Sequence, residues 1–132
     1  YTDVGGVRSS VSFDYYDNQL YQVVIAGPSN TANGFDTNVK RHVDIFASII
    51  ETAYGAPDYR ANLRFWDMKD GYVVFSHRWD LDDGKRIRIG ISEYDFRYSA
   101  KMYIEYMPLV EAKEHAEKAK DQSKIDASVG DF

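Results

Sequence analysis

Three histidines, a run of acidic residues and a set of arginines with aromatics are the groups in this chain that could do chemistry. His42 falls one position off the apolar stripe of a helix, His77 inside a strand and His115 in a polar helix. None stands at a metal-ligand spacing from another histidine or a carboxylate. Each is read as structural or surface. Asp80-Leu-Asp-Asp-Gly84 has the flavour of a calcium loop, but its glycine arrives one position early and Ile91 stands where the bidentate glutamate belongs. It is read as a hairpin turn. Gly5-Gly6 lacks the strand–loop–helix context of a phosphate cradle, Asn30 and Asn33 open no glycosylation sequon, and no nucleophile elbow is present. With no cysteine, thiolate catalysis, disulfides and cysteine-based metal centres are excluded. No catalytic residue, metal ligand or cofactor is assigned, and the expectation leans away from an enzyme.

The best candidate binding group is Arg64, Trp66, Arg86, Arg88 and Tyr103. Strand alternation places Arg86 and Arg88 on one side of their strand, and Arg97, Lys101 and Tyr103 on one side of the next. Tyr72, Val74 and Arg78 join this face if Val73, Phe75 and Trp79 point to the core. Guanidinium and aromatic groups on a shared face can stack on, and bond bidentately to, a planar or anionic ligand. Cross-strand pairing of the arginines with Glu93, Asp95 and Glu105 is the competing outcome. A one-residue slip in register would exchange the two faces.

These groups need a sheet to hold them. Val11, Phe13 and Tyr15 alternate with polar residues over positions 7–15, Asp17-Asn18 turns the chain, and positions 20–26 form a second strand. After a loop, Phe35, Val39, Val43, Phe46, Ile50 and Ala53 recur at helical spacing, with Asp36 as N-cap and Lys40–Asp44 as an exposed pair one turn apart. Gly55 and Pro57 stop that helix. Positions 63–68, 72–81, 85–91 and 96–106 read as a meander with turns at Asp70-Gly71, Asp83-Gly84 and 92–95. Pro108 opens a helix over 109–120 whose stripe is mostly alanine, expected to pack weakly on its own domain and to act as a spacer or dock on another chain.

The order β-β-α-β-β-β-β-α predicts an α+β fold, an antiparallel sheet of about six strands with one helix across one face. Residues 1–108 form the single domain, and 109–132 a polar C-terminal helix and tail of the same unit. A chain of 132 residues with 44% hydrophobic and 15% aromatic content can bury a core. No apolar run is long enough for a transmembrane helix. Net charge is −5, although positions 60–101 carry nine basic against seven acidic residues. General nucleic-acid binding is not expected.

Tyr16-Asp-Asn-Gln-Leu-Tyr-Gln-Val-Val24, the helix stop Tyr54-Gly-Ala-Pro57 and the tryptophan-bearing segments that follow resemble a group of small exported or lipoprotein-type bacterial α+β domains of unknown function. The resemblance covers roughly residues 11–80. It implies bacterial origin and an exported or periplasmic location, and carries over no site residue. Separately, a start at Tyr1 and not Met implies that an upstream segment, such as a signal peptide, lipoprotein linker, tag or adjoining segment, was removed. The expected function is a non-catalytic binding or protein-interaction module whose partner is a protein or an anionic small ligand, with a homodimer through edge strands as a further arrangement. The alternative is a small-molecule pocket or enzyme using Asp44, His77 or tyrosines inside a curved sheet. A deep apolar cavity would favour the alternative; a filled core with an aromatic face would favour the module.

Overall fold

A computed structural model describes residues 1–130. Seven strands form one antiparallel sheet: β1 (Thr2–Val4), β2 (Val7–Tyr16), β3 (Gln19–Ala26), β4 (Tyr59–Arg60), β5 (Val73–Asp80), β6 (Lys85–Tyr94) and β7 (Arg97–Tyr106). Their order across the sheet is β1-β2-β3-β7-β6-β5-β4. The expected class is present; five of the six expected strands form, and two very short strands, β1 and β4, bring the sheet to seven.

One face is the core. Ile87, Ile89 and Ile91 of β6, Tyr98, Ala100 and Met102 of β7, and Trp79 of β5 are buried on it. Helix α1 (Lys40–Tyr54) lies across that face. Most of its stripe works as the spacing requires: Val43 and Ile50 are buried and Phe46 is fully enclosed, while Ala53 at its end is exposed. A side chain of that size removed from water contributes about 1.5–3 kcal/mol. The entry to α1 differs from expectation. Phe35–Val39 form a π-helical turn ahead of it, and the cap position is Gly34, not Asp36. A Cβ on Gly34 would fall 2.7 Å from the Asn30 side-chain oxygen, so a larger residue there would require the Asn30 side chain to shift. The exit is as expected: Gly55 takes φ 85° and its N–H donates to the Glu51 carbonyl. The Trp79 indole N–H then donates to the Gly55 carbonyl at 2.9 Å, bonding the end of the helix to the sheet.

Positions 63–68 are not a strand. Phe65–Asp67 form a 3-10 turn, and the segment crosses the helix side of the sheet: Leu63 is buried there, and Phe65 packs edge-on against Phe35, 5.5 Å between ring centres. Hydrophobic residues here follow neither strand nor helix period because they close the open end of the core.

β5 carries a register shift between Phe75 and His77. Val74 pairs with Ile91 on the core side and Phe75 with Gly90 on the outer side; then an extra residue, Ser76, intervenes before His77 pairs with Ile89 on the core side. Such a bulge turns two consecutive side chains toward one face, and Ser76 and His77 are both buried. It also places Phe75 outward and Val74 inward, the reverse of part of the expected pattern. Opposite the bulge, a Cβ on Gly90 would fall 2.3 Å from the Val74 carbonyl oxygen and 2.9 Å from the Phe75 Cα. Backbone cannot swing away as a side chain would.

Helix α2 spans Met107–Gly130, ten residues beyond the expected end. Asp131 and Phe132, part of the expected tail, lie outside the described residues. Val110 is buried and Lys113 reaches the Tyr21 ring, but every residue from Glu114 to Ser128 is exposed. The helix therefore docks by its first turns and projects beyond them.

Two outcomes follow from this packing. Gly90→Ala should lower stability by about 1–3 kcal/mol, the usual cost of overpacking, read from denaturant unfolding; an unchanged midpoint would mean the bulge yields freely. Deleting residues 118–132 should change stability by no more than about 0.5 kcal/mol, as for surface positions. A larger loss in the same assay would show that the projecting part packs on the domain.

Candidate functional site

The five expected site residues divide into two groups. Arg86, Arg88 and Tyr103 share the outer face of the sheet, since Arg88 pairs with Tyr103 and Arg86 with Glu105 across β6 and β7. Arg64 and Trp66 lie in the segment that crosses the other side. Among the described residues they share no hydrogen bond, ion pair or ring contact with the first three. Arg64 instead packs its guanidinium 5.0 Å from the centre of the Trp66 ring and pairs with Asp67.

On the outer face the arginines are already engaged. Glu105 is buried, and both guanidiniums close on it: Arg86 donates from Nε and Nη2 at 3.3 and 3.0 Å, Arg88 from Nε and Nη2 at 2.8 and 3.4 Å. Arg88 also lies 4.0 Å from the centre of the Phe75 ring, which the bulge turns outward. Tyr103 is half-buried beside it, and burial raises its phenol pKa. Two cations on one carboxylate leave a net single positive charge, so this face is largely self-satisfied.

A different surface is open. At the end of the sheet where β6 turns into β7, three connections converge. The Gly71 N–H donates to the Glu93 carbonyl and the Glu93 N–H to the Tyr72 carbonyl. The Asp95 N–H donates to the Asp70 carboxylate at 3.1 Å. Phe65 packs on Tyr98, whose hydroxyl donates to Glu93 at 2.8 Å; burial and that bond push the Tyr98 phenol up to about 12. This bonded base carries Trp66, Tyr72, Tyr94 and Phe96, which are 72, 58, 77 and 77% exposed. None of the four stacks on another aromatic ring among the described residues. Arg64 covers one face of Trp66, and Lys69 lies 4.5 Å from the centre of Tyr72.

Phe96 is the least economical of them. Asp95 and Phe96 are the two central residues of the β6–β7 turn, with φ of 50° and 60°. The β2–β3 turn has the same backbone, Asp17 and Asn18 at 51° and 60°. Asparagine suits a left-handed position because its short side chain bonds locally; a bulky residue there is a steric outlier. Position 96 was expected to open a strand and instead closes a turn. Perfect pairing of β6 with β7 leaves only these two residues to make the connection, so Tyr94 and Phe96 could be placed at the tip only once that register was known.

The histidines have buried and exposed fates. His115 is exposed, while His42 and His77 are buried. The His42 Nδ1 has no hydrogen-bond partner among the described residues. Of the Asp80–Gly84 run, Asp80 ends β5 and Leu81–Gly84 form the β5–β6 turn.

No protein-family model, curated protein or solved structure matches this chain.

Burial lowers the pKa of both His42 and His77 from 6.5, with Arg41 adding to the first and Arg60 to the second; Glu51 and Asp44 oppose the shift at His77. The unfolded chain then binds protons that the folded chain refuses, so stability is full above pH 6.5 and declines as pH falls below it. Unfolding free energies measured between pH 7.5 and 5.5 should fall on acidification, and His42→Gln should flatten the slope. A flat wild-type profile would mean the two rings are not held neutral.

Proposed function

We propose that this protein is a non-catalytic recognition module that engages a protein partner through the aromatic end formed by Trp66, Tyr72, Tyr94 and Phe96. The observation that carries this reading is Phe96. It is a large apolar side chain exposed to water on a backbone conformation that disfavours it, where the equivalent turn at the other end of the sheet uses asparagine. Both features cost stability, and strain retained at an exposed position is the pattern of a contact site. Tryptophan, tyrosine and arginine are the residues that dominate binding energy when a partner covers them. Here they stand on loops tied by backbone bonds to a rigid sheet, so little order has to be created on binding. Charge at this end is nearly balanced, with Arg64, Lys69 and Arg97 against Asp67, Asp70, Glu93 and Asp95. The partner is accordingly a protein surface of mixed polarity rather than a polyanion. The core is filled: the cavity between α1 and β5 is about 40 Å³, far smaller than the ~300–1,000 Å³ of a substrate pocket. The outer-face arginines lend less support, because Glu105 already occupies them.

Phe96→Asn separates this reading from an ordinary surface role. Relief of the turn should stabilise the fold by about 0.5–1 kcal/mol. The same variant should weaken capture of the partner from cells of the source organism by at least about tenfold, as hot-spot loss does. Trp66 is a built-in reporter, since the only other tryptophan, Trp79, is buried. Partner binding should shift its emission to the blue. A Phe96→Asn protein that binds as well as the wild type removes the aromatic end from the function.

A further inference from the structure

The sheet is left open along β2. Strand β1 lies on its outer side but pairs only with Val7, Arg8 and Ser9. Beyond Ser9 no strand flanks that side among the described residues. Val4 and Val7 flank the two-residue turn Gly5-Gly6, an arrangement in which the two residues exchange both backbone bonds. Alternation from Val7 then directs the N–H and C=O of Val11, Phe13 and Tyr15 to the same side, away from β3. None of these groups is bonded elsewhere among the described residues.

The side chains on this margin are apolar and in water. Val11 pairs with Ile25 and Phe13 with Val23, and Ile25 pairs in turn with the core residue Met102, which sets them on the helix side. Helix α1 covers only the start of β2. Gly5 sits against Ile45 and Ile49 there, and Val7 and Ser9 are buried. Toward the other end Phe13 and Tyr15 are 56 and 63% exposed, and Leu20, opposite Tyr15, is 43% exposed. Natural sheets guard such an edge with proline, lysine, a bulge or an inward charge. Residues 10–16 hold no proline, lysine or glycine. The irregularity near Asp14 puts its extra residue, Tyr21, on β3 and leaves β2 continuous. Asp14, the one charge of the run, lies on the face away from α1 and accepts from Gln22 at 2.9 Å.

We propose that two copies of this chain join along β2, antiparallel, with Phe13 opposite Phe13 on a two-fold axis. The edge is complementary to itself in this register. Val11 stands opposite Tyr15, and Ser12 opposite Asp14, in both directions. Val11, Phe13 and Tyr15 are the outward-bonding residues, so each of their pairs exchanges two N–H···O bonds. Aromatic pairs and aromatic–β-branched pairs stabilise antiparallel strands. The Ser12 hydroxyl donates to the Asp14 oxygen that Gln22 leaves free, and no like charges meet. Sliding by one pair sets Tyr15 against Ser9, which β1 occupies, or Val11 against Asp17 of the turn. The opposite edge of the sheet ends in the two-residue β4, so assembly stops at two copies. This surface is separate from the aromatic end and does not rest on its role.

Sedimentation velocity of the whole protein from about 5 to 500 μM should show a reversible monomer–dimer equilibrium. A contact one strand wide sets its Kd at about 1–100 μM. Phe13→Lys places two ammonium groups face to face and should weaken association at least about tenfold. Phe96→Asn should leave the dimer unchanged. Register is read separately, since the chain has no cysteine of its own. Ser12→Cys and Asp14→Cys chains, mixed and oxidised, should link as the mixed pair. Directly opposed residues that exchange no backbone bonds lie about 4.5 Å apart between Cα atoms, within disulfide reach. Either variant alone should link far less. Should Phe13→Lys fail to fold, the cross-link decides. The proposal is overturned if the protein stays monomeric at about 500 μM, if folded Phe13→Lys dimerises like the wild type, or if the mixed pair links no better than either variant alone.

Discussion

The register shift in β5 is the constraint on which most of this structure depends. Without the extra residue, alternation would carry one side chain of the Ser76–His77 pair to the outer face. With it, both face α1, while Arg78 and Trp79 return to their proper sides. Trp79 can then reach the Gly55 carbonyl and bond the end of the helix to the sheet. Phe75 is thrown outward beneath Arg88. The residue opposite has to be glycine because the bulged backbone comes so near. One inserted position in one strand therefore shapes the small cavity beside α1, the outer face and the seating of the helix.

The outer face shows how a chain handles charges it half buries. Glu105 has little contact with water and would be costly there as a lone carboxylate. Two arginines on the neighbouring strand close on its two oxygens, and the ring of Phe75 supports one of them. Charge-assisted bonds of this kind are stronger than neutral ones, and the forked guanidinium matches a carboxylate. The arrangement orders the face and leaves its cations little capacity for another anion. The aromatic end makes the opposite choice: rings are left in water and one of them on an unfavourable backbone, on a base firmly bonded beneath them. Stability is surrendered at the tip and kept in the scaffold, which is how contact surfaces are commonly built.

The small cavity beside α1 and the aromatic end use the sheet in different ways. The cavity draws on its interior face, where Lys40 and Asp44 of α1 and Ser76 and His77 of β5 line it. The end draws on connections, where β6–β7 and the segment before β5 meet. A projecting α2 adds a third feature, a helix docked by its first turns and polar beyond them.

Local pattern determined the class of fold, the central helix and most strands. Period-two runs such as Ile87-Arg-Ile89-Arg-Ile91 and the 3.6-residue stripe through Phe46 are properties of neighbouring residues, and burial follows from them directly. The helix stop at Gly55 was legible for the same reason, since the conformation needed there suits glycine. Tertiary structure alone decided the rest. A bulge has no local signature, because its extra residue is defined only against the partner strand, so Phe75, Val74 and His77 could not be assigned faces from their own spacing. Leu63 and Phe65 imitate a strand but close the core from outside the sheet, which separates Arg64 and Trp66 from Arg86, Arg88 and Tyr103. Phe96 reads as the first residue of an alternating strand until the pairing of β6 with β7 leaves it in the turn. Asp44 and His77, more than thirty positions apart, become neighbours only because the helix crosses the sheet at β5. Register and crossing are relations between distant segments, and composition and spacing do not encode them.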